Sequence, residues 1–177
     1  MNQLKQISLL LLVSLCSHLV TDAQSNHQVK PIVGSTGNQL EVLDWGGTGQ
    51  AIIFLTGLGN TAHVYDGFAP VFTDSFHVYG ISRRGYGGSE QTQTGYGIDT
   101  LAKDILAVMD ALGLAKVILI GHSIAGDEIT TFASSYPARM VKVIYLDAAY
   151  DHSNLAEFPP FPEFPQRKKR IVFQSRI

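Results

Sequence analysis

Lys116-Val117-Ile118-Leu119-Ile120-Gly121-His122-Ser123-Ile124-Ala125-Gly126-Asp127-Glu128 changes its hydrophobic period halfway along. Val117 to Ile120 is an unbroken aliphatic run bounded by Lys116 and Gly121. A strand covered on both faces of a parallel sheet reads this way. Gly121 to Gly126 then turns the chain, with small residues on either side of Ser123. Behind the turn, Ile124, Ala125, Glu128, Ile129, Phe132 and Ala133 recur at helical spacing. The segment predicts a buried strand, a sharp turn and an amphipathic helix.

The same grammar extends in both directions. Val29 to Ser35 and Leu40 to Trp45 alternate partially around Gly37-Asn38, as in a hairpin at a sheet edge. Ala51 to Thr56 is a second aliphatic strand, ending in Gly57-Leu58-Gly59-Asn60. Val64, Tyr65, Phe68, Val71 and Phe72 predict a helix over 62–76, interrupted near Pro70. His77 to Ile81 is the next strand. Ile98, Leu101, Ala102, Ile105, Val108, Met109 and Leu112 mark a helix capped by Asp99 or Thr100 and closed at Gly113. Val141 to Leu146 is the last strand, running into Asp147. Strands alternating with helices imply an α/β fold with a mostly parallel sheet and helices on both faces.

Three pieces of this pattern, in this order, resemble the α/β-hydrolase superfamily. They are the loop 56–60, the turn Ser82-Arg83-Arg84-Gly85-Tyr86-Gly87-Gly88-Ser89, and Gly121 to Gly126. The last is similar to the family's nucleophile elbow, in which a serine sits on a strand-to-helix turn. Three departures stand out: Ala125 where the pattern has Gly, Ser82 where the Arg-Gly turn has Asp, and Thr56-Gly57 where the loop after the second strand often has His-Gly. The resemblance covers about residues 29–151 and implies a three-layer α/β sandwich. It implies Ser123 as nucleophile, with the backbone amides of Leu58 and Ile124 as oxyanion donors. Arg83 and Arg84 are expected to be structural, with anion binding as the alternative. A serine at the elbow argues against the epoxide-hydrolase and dehalogenase branches, which place aspartate there. Substrate class stays open among small esters and amides.

A serine hydroxyl needs a base, and the family order is Ser, acid, His. Downstream of Ser123 the only histidine is His152, one residue past Asp151. The family histidine follows the last strand, so His152 reads as a loop residue and the base as absent. Asp147 or Asp151 is the candidate acid. His63 reads as a cap or pocket wall, and His122 adjoins the nucleophile facing away from the base position. The segment 159–177 is Pro-rich and then basic, and is expected to lie outside the core. The chain therefore reads as a family member truncated after its sixth strand, with the core over 24–158. A catalytically inactive member or a non-catalytic binding module is the alternative function.

The bulk properties fit one globular domain: 177 residues, 45% hydrophobic, 16% charged, net charge −2. This balance gives no reason to expect nucleic acid as a partner. No metal-ligand spacing or nucleotide loop is legible, so no cofactor is implied. Residues 1–23 have one lysine, a short apolar run and small residues at Thr21-Asp22-Ala23. That is the layout of a secretory signal peptide, with cleavage after Ala23 and no membrane span afterwards. The expectation is export; a lipid anchor at Cys16 or an uncleaved leader are the alternatives.

Overall fold

The computed structural model describes residues 26–148. Six strands form one sheet: β1 (Gln28–Val33), β2 (Gln39–Gly46), β3 (Gln50–Leu55), β4 (Phe76–Ser82), β5 (Val117–His122) and β6 (Met140–Leu146). Their order is β1-β2-β4-β3-β5-β6. β1 pairs with β2 and β2 with β4 antiparallel, while β4, β3, β5 and β6 are mutually parallel. Every strand expected from the sequence is present, and the expected hairpin is β1–β2.

The aliphatic runs are explained by what covers each face. In β3, Ala51, Ile53 and Leu55 join one core cluster, while Ile52 and Phe54 join the other. Val117 and Leu119 of β5 face the first cluster and Ile120 the second. The first cluster also takes Ala102, Ile105, Val108 and Met109 from α1 (Ile98–Ala111), and Ala125, Ile129 and Phe132 from α2 (Ala125–Ser135). Both helices therefore lie on one face. A strand lined on both sides has no polar face to show, so alternation is lost.

The opposite face departs from expectation. Residues 62–76 do not form an interrupted α-helix; they form two short 3-10 turns, Ala62–Tyr65 and Ala69–Phe72. Gly67 and Pro70 fall within one helical length, and Val64 and Val71 are β-branched, so an α-helical run is not sustained. The layer still buries Ala62, Tyr65 and Ala69 against Trp45, Phe54 and Val78. The start of α1 also differs: Gly97 occupies the cap position, neither Asp99 nor Thr100 caps by side chain, and Asp99 lies in the first turn. There its charge complements the helix dipole. Gly113 closes the helix at φ 67°, as expected.

β6 is covered less than the rest. Val141, Ile144 and Tyr145 are exposed, and β5 is its only partner strand among the described residues. No helix among the described residues is long and apolar enough to cross a membrane. The leader 1–23, Cys16, Asp151, His152 and the segment 159–177 lie outside the described residues.

Candidate active site

Ser123 occupies the turn between β5 and α2, at φ 54°. The left-handed region is unfavourable for a residue with a side chain. What holds it there is close packing on both sides. At Gly121 a Cβ would sit 2.9 Å from the Ala125 carbonyl oxygen, and at Gly126 it would sit 2.1 Å from that of Ala148. The turn therefore needs its glycines because strand, helix and the end of β6 meet there. The Ser123 N–H donates to the Leu146 carbonyl at 3.3 Å, tying the turn to the neighbouring strand. Ala125 is fully buried, so its methyl group is accommodated where a second glycine was expected.

The loop after β3 closes on the same turn. A Cβ at Gly57 would come within 3.3 Å of Ser123 Cβ and 2.9 Å of His122 Nδ1. Only glycine lets the backbone at 56–58 approach the serine this closely. Leu58 is exposed beside it. Among the described residues, the N–H groups of Leu58 and Ile124 donate no hydrogen bond. Thr56 accepts from Arg83 through its carbonyl and donates its hydroxyl to the Asn60 carbonyl, fixing the loop at both ends.

The arginine turn supplies the bracing. Arg83 donates Nε to Glu128 Oε1 at 2.7 Å, Nη2 to the same oxygen, and Nη2 to the Thr56 carbonyl at 3.0 Å. Glu128 lies on α2 and is 3% exposed. Burial pushes its carboxyl above its ordinary value, and Arg83 pulls it only part of the way back. One guanidinium therefore links the β3 loop to the helix that carries Ser123. Arg84, fully buried, donates Nε and Nη2 to Asp104 of α1 at 2.8 and 2.7 Å. Asp104 also accepts the Ser35 N–H and hydroxyl, joining the β1–β2 turn to α1. Both arginines are committed to internal carboxylates, which corrects the anion-binding alternative. Charged groups taken out of water are stable only when paired in this way.

Ser82, which stands where the resemblance has aspartate, is fully buried. Its hydroxyl accepts the Ala62 N–H at 3.0 Å and donates to Glu41 Oε2 at 2.5 Å. Gly87 and Gly88 make room for that carboxylate, since a Cβ at either would lie within 2.7 Å of a Glu41 oxygen. Ser89 completes the loop, its hydroxyl donating to the Ser82 carbonyl and accepting the Glu41 N–H. Glu41 has thus moved the acidic group from the turn onto β2. Sequence reading missed Glu41 and Asp104, and placed Glu128 on the helix's core-facing stripe without its partner; an acid on the apolar face of each helix was the available signal for Asp104 and Glu128.

The remaining titratable groups divide cleanly. Asp147 follows β6 at φ 48° and is exposed; Asp151 and His152 lie outside the described residues. Among the described residues, no side chain hydrogen-bonds to the Ser123 hydroxyl. His77 pairs with Asp44 at 2.9 Å, while His27 and His63 pair with Asp66 at 2.7 and 3.2 Å. His27 immediately precedes β1, His77 lies in β4, and His63 lies within the first 3-10 turn, whose caps are Thr61 and Asp66. The ring of His122 lies against Gly57.

Known proteins share this fold. The alpha/beta hydrolase fold family model matches residues 50–174. A non-heme chloroperoxidase from Streptomyces lividans is 32% identical over 66% of this chain and 44% of its own length. A 2-(acetamidomethylene)succinate hydrolase from Mesorhizobium japonicum is 27% identical over 73% of this chain and 46% of its own length. The solved structure of an N-acyl homoserine lactone degrading enzyme superposes with a TM-score of 0.64 at 29% identity. That superposition covers 67% of this chain and 45% of that one. The chain spans less than half the length of the curated relatives it matches.

Proposed function

The chain belongs to the alpha/beta hydrolase fold family, and from that premise we propose that it is an exported serine hydrolase acting on a small ester or amide. Ser123 Oγ attacks the substrate carbonyl carbon, and the amides of Leu58 and Ile124 receive the oxygen that becomes negative. The carbonyl's bond to its alcohol or amine then breaks, and the leaving group departs with the proton that Ser123 Oγ gave up. Water hydrolyses the acyl-serine, releasing the acid and restoring Ser123. One observation carries this reading: Ser123 stands at φ 54° with the Gly57 loop packed onto it. An L-residue held in that conformation at a strand-to-helix turn is a strained position, and strain of this kind concentrates at functional sites.

The relatives' names support a hydrolytic reading but span several substrates, so the proposal stops at the ester or amide class. We assign none of His27, His63 or His77 as base, because each is paired with a carboxylate away from Ser123. Asp147 is retained as an acid candidate from its place beyond β6, next to the nucleophile strand. Export rests on the leader 1–23 alone, and N-terminal sequencing of protein recovered outside the cytoplasm tests it. The catalytic test is labelling of the purified chain by a fluorophosphonate probe. Labelling that disappears in Ser123→Ala is the expected result. A folded chain that does not label refutes the assignment and favours the non-catalytic alternative, and labelling that is equal without Ser123 refutes Ser123 as the nucleophile.

A further inference from the structure

Away from Ser123, two histidines and an aspartate converge on one point. Residue His27 immediately precedes β1, while His63 and Asp66 lie in and just after the first 3-10 turn. Each can offer one ligand atom, and these atoms all lie within 4.8 Å of one another. His27 Nδ1 is 2.7 Å from Asp66 Oδ1, and His63 Nδ1 is 3.2 Å from Asp66 Oδ2. Around a tetrahedral zinc ion with bonds of about 2.0–2.1 Å, neighbouring ligand atoms stand about 3.3–3.5 Å apart. The trio is within small side-chain movements of that spacing. Its site lies beside β2, three strand spacings from β5, or about 14 Å from the nucleophile strand.

The surroundings are those that orient metal ligands. A ligating histidine usually gives its second nitrogen to a carboxylate or carbonyl, which fixes the ring. Here His63 Nε2 faces Glu41 Oε1 at 3.4 Å, and Glu41 is itself held by the Ser82 hydroxyl. Asp66 receives the indole N–H of Trp45 on Oδ1 at 3.1 Å, and its carbonyl accepts from Asn26. The two imidazole rings stand 5.0 Å apart, edge to face. One divalent ion would satisfy both imidazoles and the carboxylate together. His63 and Asp66 side chains are 41% and 35% exposed, which gives an ion a route in.

We propose that His27, His63 and Asp66 bind a divalent transition-metal ion of the zinc type, with a fourth position left to water. Two imidazoles and one carboxylate suit zinc and its neighbours in the first transition row; calcium and magnesium require oxygen ligands. The ion would tie the chain at the start of β1 to the 3-10 layer after β3.

The test uses the full chain, stripped with chelator and titrated with Zn2+ by calorimetry, then with Co2+ by visible absorption. The expected result is one saturable equivalent tighter than about 10 µM, with the intense cobalt band of a four-coordinate site. His63→Ala and Asp66→Ala, at partly exposed positions, should each weaken binding about 100-fold or more. Trp45→Phe should weaken it about 10-fold by removing the N–H that orients Asp66. His77→Ala, a histidine outside the trio, should change nothing. Absence of saturable binding overturns the proposal. So does binding that survives both His63→Ala and Asp66→Ala, because the ion would then sit on other residues. Fluorophosphonate labelling of Ser123 is read separately and does not depend on this outcome.

Discussion

Replacing Glu128 by leucine removes the carboxylate that neutralises Arg83 while keeping an apolar side chain of similar bulk on α2. Arg83 would then hold a positive charge at 8% exposure, with the Thr56 carbonyl as its remaining acceptor. Its Nη1 has no partner among the described residues even in the native chain. Removing one member of a buried pair costs about 3–5 kcal/mol, because the other charge is left desolvated. A domain has about 5–15 kcal/mol of stability in total. With a denaturant slope of about 2 kcal/mol per molar urea, the unfolding midpoint should fall by about 2 M. The double replacement Arg83→Met with Glu128→Leu removes both charges and should recover most of the loss.

The assay is urea unfolding of the wild type, both single variants and the double variant, followed by fluorophosphonate labelling of those that stay folded. In the double variant the Thr56 carbonyl loses its anchor. Under the proposed role of Leu58, labelling should then fall by up to about 100-fold although the chain is folded. A Glu128→Leu midpoint within about 0.5 M of the wild type, about 1 kcal/mol at that slope, would refute the reasoning, since Arg83 would then have found another acceptor. Equal losses in the single and double variants would refute it differently, by placing the cost in packing rather than in charge.

Three shorter predictions test the turn and one edge of the sheet. At Ser123 the left-handed backbone costs an L-residue about 1–2 kcal/mol, and glycine's larger unfolded-state entropy offsets about 0.5–1 of that. Ser123→Gly should therefore unfold later than Ser123→Ala by about 0.5–1 kcal/mol, and equal stability would remove the evidence for strain. Gly126→Ala places a methyl group on the Ala148 carbonyl, 2.1 Å away; despite alanine's advantage in a helix of about 1 kcal/mol, it should be destabilising in thermal melts. Asp44 supplies the pH dependence. Burial is the largest influence and pushes its carboxyl up, but Lys30, the Gly46 N–H and His77 together hold it below its ordinary 3.8. A carboxyl held low in the fold binds fewer protons than it does unfolded. Its stabilisation is full above the unfolded value and is lost as pH falls through the folded one. The stability gap between wild type and Asp44→Asn, measured in urea, should close as pH drops below about 4; a gap constant from pH 7 to 2.5 would contradict this.

Strand positions were legible because burial on two faces leaves an unmistakable mark on composition. Ala51 to Thr56 and Val117 to Ile120 contain only apolar residues until each run ends, and each became a central strand. The segment at residues 62–76 differs from its predicted helix because its apolar spacing fits one while Gly67 and Pro70 forbid a long one. Spacing reports which residues face the core, and two 3-10 turns can present the same face. The trio at His27, His63 and Asp66 gave no warning at all. His27 is far from the others in sequence, and only the antiparallel return of β2 beside β1 brings it to them.

The site itself divides along the same line. Gly57, Gly121, Ser123 and Gly126 act through backbone shape, and shape at a turn is written locally in small residues. Arg83 and Arg84 were legible as structural, yet nothing near them in sequence names their partners. Glu128 is 45 residues from Arg83, and Asp104 is 20 from Arg84. Both acids sit on the core-facing side of a helix, where an uncompensated carboxylate would be costly. Each buried acid demands a cation from elsewhere in the chain, and the two arginines that follow β4 are placed to supply one each. Ser82 fits the same logic in reverse. With no carboxylate of its own, the turn borrows Glu41 from β2, and the loop that braces Ser123 is held by acids from three different elements.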